Sequence, residues 1–211
     1  MLAVARREAS LERLALSMKR GRTFVADITD SDAISATIEA ARSNLGEIDI
    51  VLCTVGSAVL RPMSSLSIED WRESFDLNLR GTIDLVAQSQ SALSPDGVVA
   101  LLSTTAVVVP HWGLASYAAA KAGLEAALAC WREENPGSRV AVIRLGPTMP
   151  TEFGAAFGED ALSEAMPAWI SRGVNLKAMR TIDVARSIAE FLGLLVRHPR
   201  ISIDAFELRA R

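Results

Sequence analysis

The chain has 211 residues, half of them hydrophobic and 22% charged, enough for one sizeable core but not comfortably for two. Lys and Arg number 22 against 25 Asp and Glu, a net charge of -3, and no block of like charge would track a phosphate backbone, so nucleic acid is excluded as the main partner. Cys53 and Cys130 lie far apart in apolar runs with neither disulfide nor zinc spacing, and no apolar run nears the roughly 18 residues that span a bilayer. These features, with a start that lacks the order of a signal peptide, predict a soluble, cytoplasmic, single-domain protein with two buried thiols, no metal and no membrane partner.

In chain order, short apolar runs, most of them rich in β-branched residues, read as buried strands at Leu2 to Ala5, Thr23 to Ala26, Ile48 to Cys53, Val98 to Ser103, Arg139 to Leu145 and Arg200 to Leu208. Helical periodicity fills the intervals at about 8–19, 31–44, 67–92, 115–133 and 181–197. Two of these helices open on cap chemistry, Thr29-Asp30-Ser31-Asp32 and Ser67-Ile68-Glu69-Asp70. The alternation predicts an α/β fold with a parallel sheet covered on both faces. Residues 147–180 break the rhythm, with Gly154, Gly158, Pro167 and Gly173 punctuating a long connection of the kind that borders substrate sites. In such sheets ligands lie beyond the carboxyl ends of the strands. Arg6, Arg7, Asp27, Gly56, Thr104, Gly146, Pro147 and Thr148 all follow a strand.

The sharpest feature is Tyr117-Ala118-Ala119-Ala120-Lys121 near a helix start. Positions i and i+4 share a helix face, so the ammonium is expected beside the phenol, lowering its pKa from near 10 toward neutrality and preparing it to exchange a proton with a carbonyl or alcohol oxygen. The alternative is a plain surface pair. Thr104 ends a strand thirteen residues earlier, and the loop between returns its hydroxyl toward the phenol. Ser116 is expected to cap the helix instead, because neighbouring helix positions point about 100° apart. Asn78 sits mid-helix in Asp76-Leu77-Asn78-Leu79-Arg80-Gly81-Thr82, where Asn is a poor helix former and Gly81 costs about 1 kcal/mol relative to Ala. A helix distorted to bring a carbonyl and a water into a proton relay with Lys121 would account for it, as would a simple polar face.

Together these residues resemble the short-chain dehydrogenase/reductase family over nearly the whole chain. The resemblance implies a Rossmann-like, doubly wound, three-layer fold and assigns the catalytic group by position to Tyr117, Lys121, Thr104 and Asn78. The family usually has Ser where this chain has Thr104, so Ser103, one residue away, is held as an alternative. Asp27 and Ile28 are similar to the pair that holds adenine. In Cys53-Thr54-Val55-Gly56 only Gly56 keeps the family pattern, admitting the cofactor to the backbone. Gly146, Pro147, Thr148 and Thr151 would border the nicotinamide. Arg6 and Arg7 stand where an acidic residue would grip a ribose 2′-hydroxyl, which points to NADP in preference to NAD, although solvated charges opening a helix read equally simply.

His111, Trp112 and Phe153 are candidates for the substrate surface, and the aromatic and Met residues Met149, Phe157, Met166 and Trp169 read either as a lid over a carbonyl or alcohol substrate or as core. His198, before Pro199, reads as a favourable charge at a helix end. The small residues of the 115–133 helix resemble a family surface that joins copies, implying a homodimer or homotetramer.

One family element has no counterpart: the first strand, its Thr-Gly-x-x-x-Gly-x-Gly turn and the following helix, so the strand at Leu2 corresponds to the family's second. Either the sequence is internal to a longer product that carries this element or it is a naturally shortened relative; as it stands, a gap is expected between the strands at Leu2 and Ile48, with NADPH bound weakly or not at all. Two functions remain: an oxidoreductase moving hydride between NADP(H) and a carbonyl or alcohol, or a catalytically silent relative that serves as an interaction protein.

Overall fold

The computed structural model describes all 211 residues. Its elements are, in chain order, β1 Leu2–Ala5, α1 Glu8–Ser17, β2 Arg22–Val25, α2 Ser31–Leu45, β3 Ile48–Cys53, α3 Ile68–Phe75 and α4 Gly81–Ser89, then β4 Leu93–Thr104, α5 Ala115–Glu134, β5 Arg139–Leu145, β6 Thr148–Met149, α6 Glu152–Ala155, α7 Glu159–Ser171, β7 Met179–Arg180, α8 Thr181–Arg197 and β8 Ala205–Leu208. The principal sheet runs β3-β4-β5-β8, every pair parallel. Val98, Val99, Ala100 and Leu101 on β4 are at most 1% exposed, because α4 and α5 clad one face of the sheet and α8 the other. One apolar cluster joins Val98, Ala100, Ala141 and Ile143 to Val184, Ile188 and Phe191 of α8, and a second joins Val99, Leu101, Val140 and Val142 to Leu124 and Leu128 of α5. No helix is long and apolar enough to cross a membrane.

The expected gap is present. Strands β1 and β2 form their own two-stranded parallel ladder, with no strand paired between β1 and β3, while α2 packs against both. Both anticipated caps form: Asp30 accepts from the amides of Asp32 and Ala33, and Ser67 with Asp70 makes a reciprocal capping box.

Several expectations are corrected. The 67–92 helix divides, because Asp76–Arg80 forms a π-helical turn that separates α3 from α4. Gly81 is needed there, since a Cβ would stand 2.3 Å from the carbonyl oxygen of Ile28. The final strand is shorter than expected, Ala205–Leu208, because the segment after Pro199 makes no ladder until Ala205. The 147–180 connection contains a 13-residue helix, α7, which accommodates Pro167 and buries Ala165 and Trp169 against Leu60 and Leu114. Ser116 is not a cap: the helix already begins at Ala115, and the Ser116 hydroxyl is buried without a partner. Cys53 is buried, but Cys130 lies on the outward face of α5 and is exposed.

Candidate active site at the ends of β3, β4 and α5

Strand β4 delivers Ser103 and Thr104 to the carboxyl edge of the sheet, and the loop to α5 turns back so that Tyr117 stands beside Thr104. Successive strand side chains face opposite ways, so the two hydroxyls part. Thr104 lies next to the phenol while accepting from the Ala106 amide at 3.1 Å. Ser103 is 4% exposed and donates to the Glu125 carboxylate at 2.6 Å. Of the two, only Thr104 is placed beside Tyr117.

Asn78 is fully buried within the π-helical turn. Its Nδ2 donates to the Ser57 carbonyl at 2.9 Å and to the Ser74 carbonyl at 3.0 Å, and its Oδ1 accepts from the Ser57 amide at 3.2 Å. The side chain thus pins the loop after β3. On that loop, a Cβ on Gly56 would meet Asn78 Oδ1 at 3.5 Å and Lys121 Cε and Tyr117 Cε2 at 3.9 Å. Gly56, Asn78, Tyr117 and Lys121 therefore converge on one spot.

Lys121 is 2% exposed, and its Nζ donates to the Leu102 carbonyl at 2.9 Å and the Val55 carbonyl at 3.2 Å. An ammonium has three donors, so one is left for a ligand. Burial lowers its pKa from 10.5 to about 8, with Cys53 and Glu125 opposing. The expected lowering of the phenol pKa by Lys121 is corrected: burial pushes Tyr117 up to about 12, opposed by the neighbouring Thr104 hydroxyl, while the ammonium is held toward backbone carbonyls.

Phe153 of α6 lies over Tyr117 with ring centroids 5.0 Å apart, and Phe157 backs it at 5.2 Å. Trp169 donates to the Trp112 carbonyl at 2.9 Å and meets the His111 ring edge-on, while His111 Nδ1 lies 2.7 Å from the Val109 carbonyl. The candidates of the 146–151 segment border α6: Gly146 donates to Leu208, the Pro147 carbonyl accepts from Met179, the Thr148 hydroxyl donates to Gly146, and Thr151 caps α6.

The remaining candidates gather at the ends of β1 and β2. Arg6 pairs with Asp27 at 3.4 Å, and Asp27 also accepts from the Thr29 amide at 2.9 Å and hydroxyl at 2.8 Å. Burial opposes ionisation of Asp27, yet the Thr29 and Arg6 contacts hold its carboxyl below its usual range. Ile28 lies beneath, packed among Ile34, Val51 and Leu85. Arg7 pairs with Glu152 of α6 and so bridges this group to the segment over Tyr117.

These groups fit the two ends of a dinucleotide. Were a dinucleotide bound, the spare Lys121 donor and the bare Gly56 backbone would suit its nicotinamide ribose, Arg6 and Arg7 its adenosine ribose, and Asp27 with Ile28 its adenine. Between them no glycine-rich turn offers amides to a diphosphate.

The family model for short chain dehydrogenases matches residues 1–161. The glycine betaine reductase ATRR of Emericella nidulans is 28% identical over 74% of this chain and 13% of its own length. The D-threitol dehydrogenase of Mycolicibacterium smegmatis is 28% identical over 72% of this chain and 60% of its own. The chain thus spans less than two thirds of either relative. Among solved structures, the alcohol dehydrogenase of Thermococcus sibiricus complexed with 5-hydroxy-NADP superposes with a TM-score of 0.82 at 17% identity, covering 99% of this chain and 84% of that one.

Proposed function

The chain belongs to the short-chain dehydrogenase family, and from that premise we propose that it is an NADP-dependent oxidoreductase that reduces a small carbonyl compound to an alcohol. The observation that carries the reading is the convergence of Tyr117, Lys121, Asn78 and Gly56, with Thr104 beside the phenol. When bound, NADPH would supply the hydride that reaches the carbonyl carbon. Tyr117 gives its phenolic proton to the carbonyl oxygen, so that ketone, hydride and proton together make the alcohol. With a pKa of about 12 the phenol is protonated at neutral pH, the form that serves reduction. The Thr104 hydroxyl orients the same oxygen. Lys121 would hold the nicotinamide ribose with its remaining donor, and Asn78 fixes the Ser57 loop beside it. Phe153 covers Tyr117, and His111 and Trp112, both packed on Trp169, are the further candidates to border a compact carbonyl substrate.

Arg6 and Arg7 favour a 2′-phosphate, hence NADP over NAD, by exchanging their Asp27 and Glu152 partners for it. Within these residues no glycine-rich turn offers amides to the diphosphate, so this chain by itself is expected to bind NADPH weakly in calorimetry. Ala119, Ala122, Ala126 and Ala129 form an exposed small-residue stripe on α5 that suits close packing against a second copy, so a homodimer or homotetramer is expected by light scattering.

The test is NADPH consumption against a panel of ketones and aldehydes at saturating cofactor. Wild type is expected to turn over at least one, and Tyr117→Phe to lose at least about a thousandfold while NADPH binding persists. Undiminished turnover by Tyr117→Phe would reject the assignment.

A further inference from the structure

Two residues outside the catalytic group hold a charged network directly behind Lys121. Glu125 lies one helical turn beyond Lys121 on the same face of α5, as Lys121 lies one turn beyond Tyr117. Its carboxylate accepts from the Ser103 hydroxyl at 2.6 Å and from Arg144 Nε at 3.0 Å to each oxygen. Ser103 and Arg144 are not independent, because they are register partners across the β4–β5 ladder. The carboxylate therefore sits over one cross-strand pair and ties both strands to a single turn of α5.

The same stretch of β4 grips the preceding turn. The Leu102 carbonyl accepts from Lys121 Nζ, and the next residue, Ser103, donates to Glu125. Consecutive residues of one strand thus bind consecutive turns of one helix. Any slide or rotation of α5 that released Glu125 would also withdraw Lys121 from Leu102 and Val55. The Glu125 and Arg144 side chains keep only 15% and 29% of their exposure, so the pair is little screened by solvent.

We infer that Glu125, clamped by Arg144 and Ser103, is a positioning residue for Lys121, fixing where its ammonium points and the field in which it is held. The groups facing Lys121 are few. The Tyr117 phenol and Glu125 lie on α5, the Cys53 thiol on β3, the neutral Asn78 amide on the π-helical turn, and backbone carbonyls at Leu102 and Val55. Arg144 stands behind Glu125, and Glu207 of β8 acts on Arg144. The Cys53 thiol and, after it, the Glu125 carboxylate oppose the burial of Lys121, and Glu125 is the carboxylate among the groups that face it. The inference deepens the oxidoreductase reading and rests on it only for the consequence in turnover.

The test reads Lys121 itself. The chain has three lysines, Lys19, Lys121 and Lys177, so side-chain carbon NMR of lysine-labelled protein resolves them, and Lys121→Met assigns the buried one. Wild-type Lys121 is expected to titrate near pH 8. Glu125→Gln removes the carboxylate and leaves Arg144 unopposed, so the midpoint falls by about one pH unit, a tenfold change in the ammonium–amine equilibrium. Arg144→Met removes the opposing cation, so the midpoint rises. Glu125→Asp recovers part of the Glu125→Gln shift. In turnover, the alkaline limb of kcat is expected to move with each midpoint. An unchanged midpoint in Glu125→Gln, or shifts of the same sign in Glu125→Gln and Arg144→Met, would overturn the inference. Should Glu125→Gln fail to fold, Arg144→Met alone decides it by a rise or its absence. A wild type without turnover whose Lys121 midpoint still responds in opposite directions would break the oxidoreductase reading and leave the role of Glu125 standing.

Discussion

The two ladders of this molecule are built from similar residues and held in different ways. Strand β4 is paired on both edges, clad on both faces, and carries Thr104 and Ser103 at its end. Strands β1 and β2 pair only with each other over four residues, and Val4 and Val25 remain 42% and 50% exposed. Thr104 and Lys121, the latter on α5, gather around Tyr117 from the first ladder and its helix, joined by Asn78 from the π-helical turn and Gly56 from the loop after β3, whereas Arg6, Arg7 and Asp27 stand at the ends of the second. On the proposed reading, proton transfer would rest on the ladder that is paired and clad on all sides, and recognition of the adenosine end on a part held by α1, α2 and side-chain ion pairs.

The largest effect that would break this contrast is in hydrogen exchange. Amides of Val99 to Leu102 and Val140 to Ile143 are expected to exchange only through global unfolding, and those of β1 and β2 at least about a hundredfold faster. Equal protection would show that the small ladder belongs to the same cooperative unit. Next in size is core truncation. Ile143→Ala, at a site with no exposure, is expected to lose about 2–5 kcal/mol in urea unfolding, and Val25→Ala less than about 1 kcal/mol.

A smaller effect follows from Lys121. Its folded pKa lies near 8 against an ordinary 10.5, so between these values the unfolded chain binds more protons and stability rises with pH. The rise is clearest from pH 8 to 9, about 1 kcal/mol. Above that the raised pKa values of Cys53 and Tyr117 act in the opposite direction. Lys121→Met is expected to abolish the rise and to be more stable than wild type at pH 7, measured by urea unfolding across pH. The smallest effect is on the second ladder: Arg6→Ala and Arg7→Ala are each expected to weaken NADPH severalfold and leave NADH unchanged, read by calorimetry.

What was legible in the sequence was local. The Tyr117–Lys121 spacing, the Asp30 and Ser67 caps and the apolar strands at Leu2, Ile48 and Arg139 each lie within one element, and the misfit of Asn78 and Gly81 left a distorted helix or a polar face open without revealing that the helix divides there. What escaped needed partners distant in the chain. Glu125 and Arg144 meet only because β4 and β5 set Ser103 opposite Arg144, and the only sequence signal was a third member on the Tyr117–Lys121 face. The direction of the Lys121 ammonium is set by carbonyls at Leu102 and Val55, which no helical spacing reveals. Pro167 read as a break, yet α7 continues through it because Ala165 and Trp169 pack on Leu60 and Leu114.

The most direct test of the central claim is isotope transfer. NADPH carrying deuterium on either face of nicotinamide C4, incubated at saturating concentration with wild type and a reducible ketone, is predicted to give an alcohol one mass unit heavier from one labelled face only, with no such product from Tyr117→Phe. Failure of wild type to form labelled alcohol from either face, or formation by Tyr117→Phe at the wild-type rate, would contradict the account.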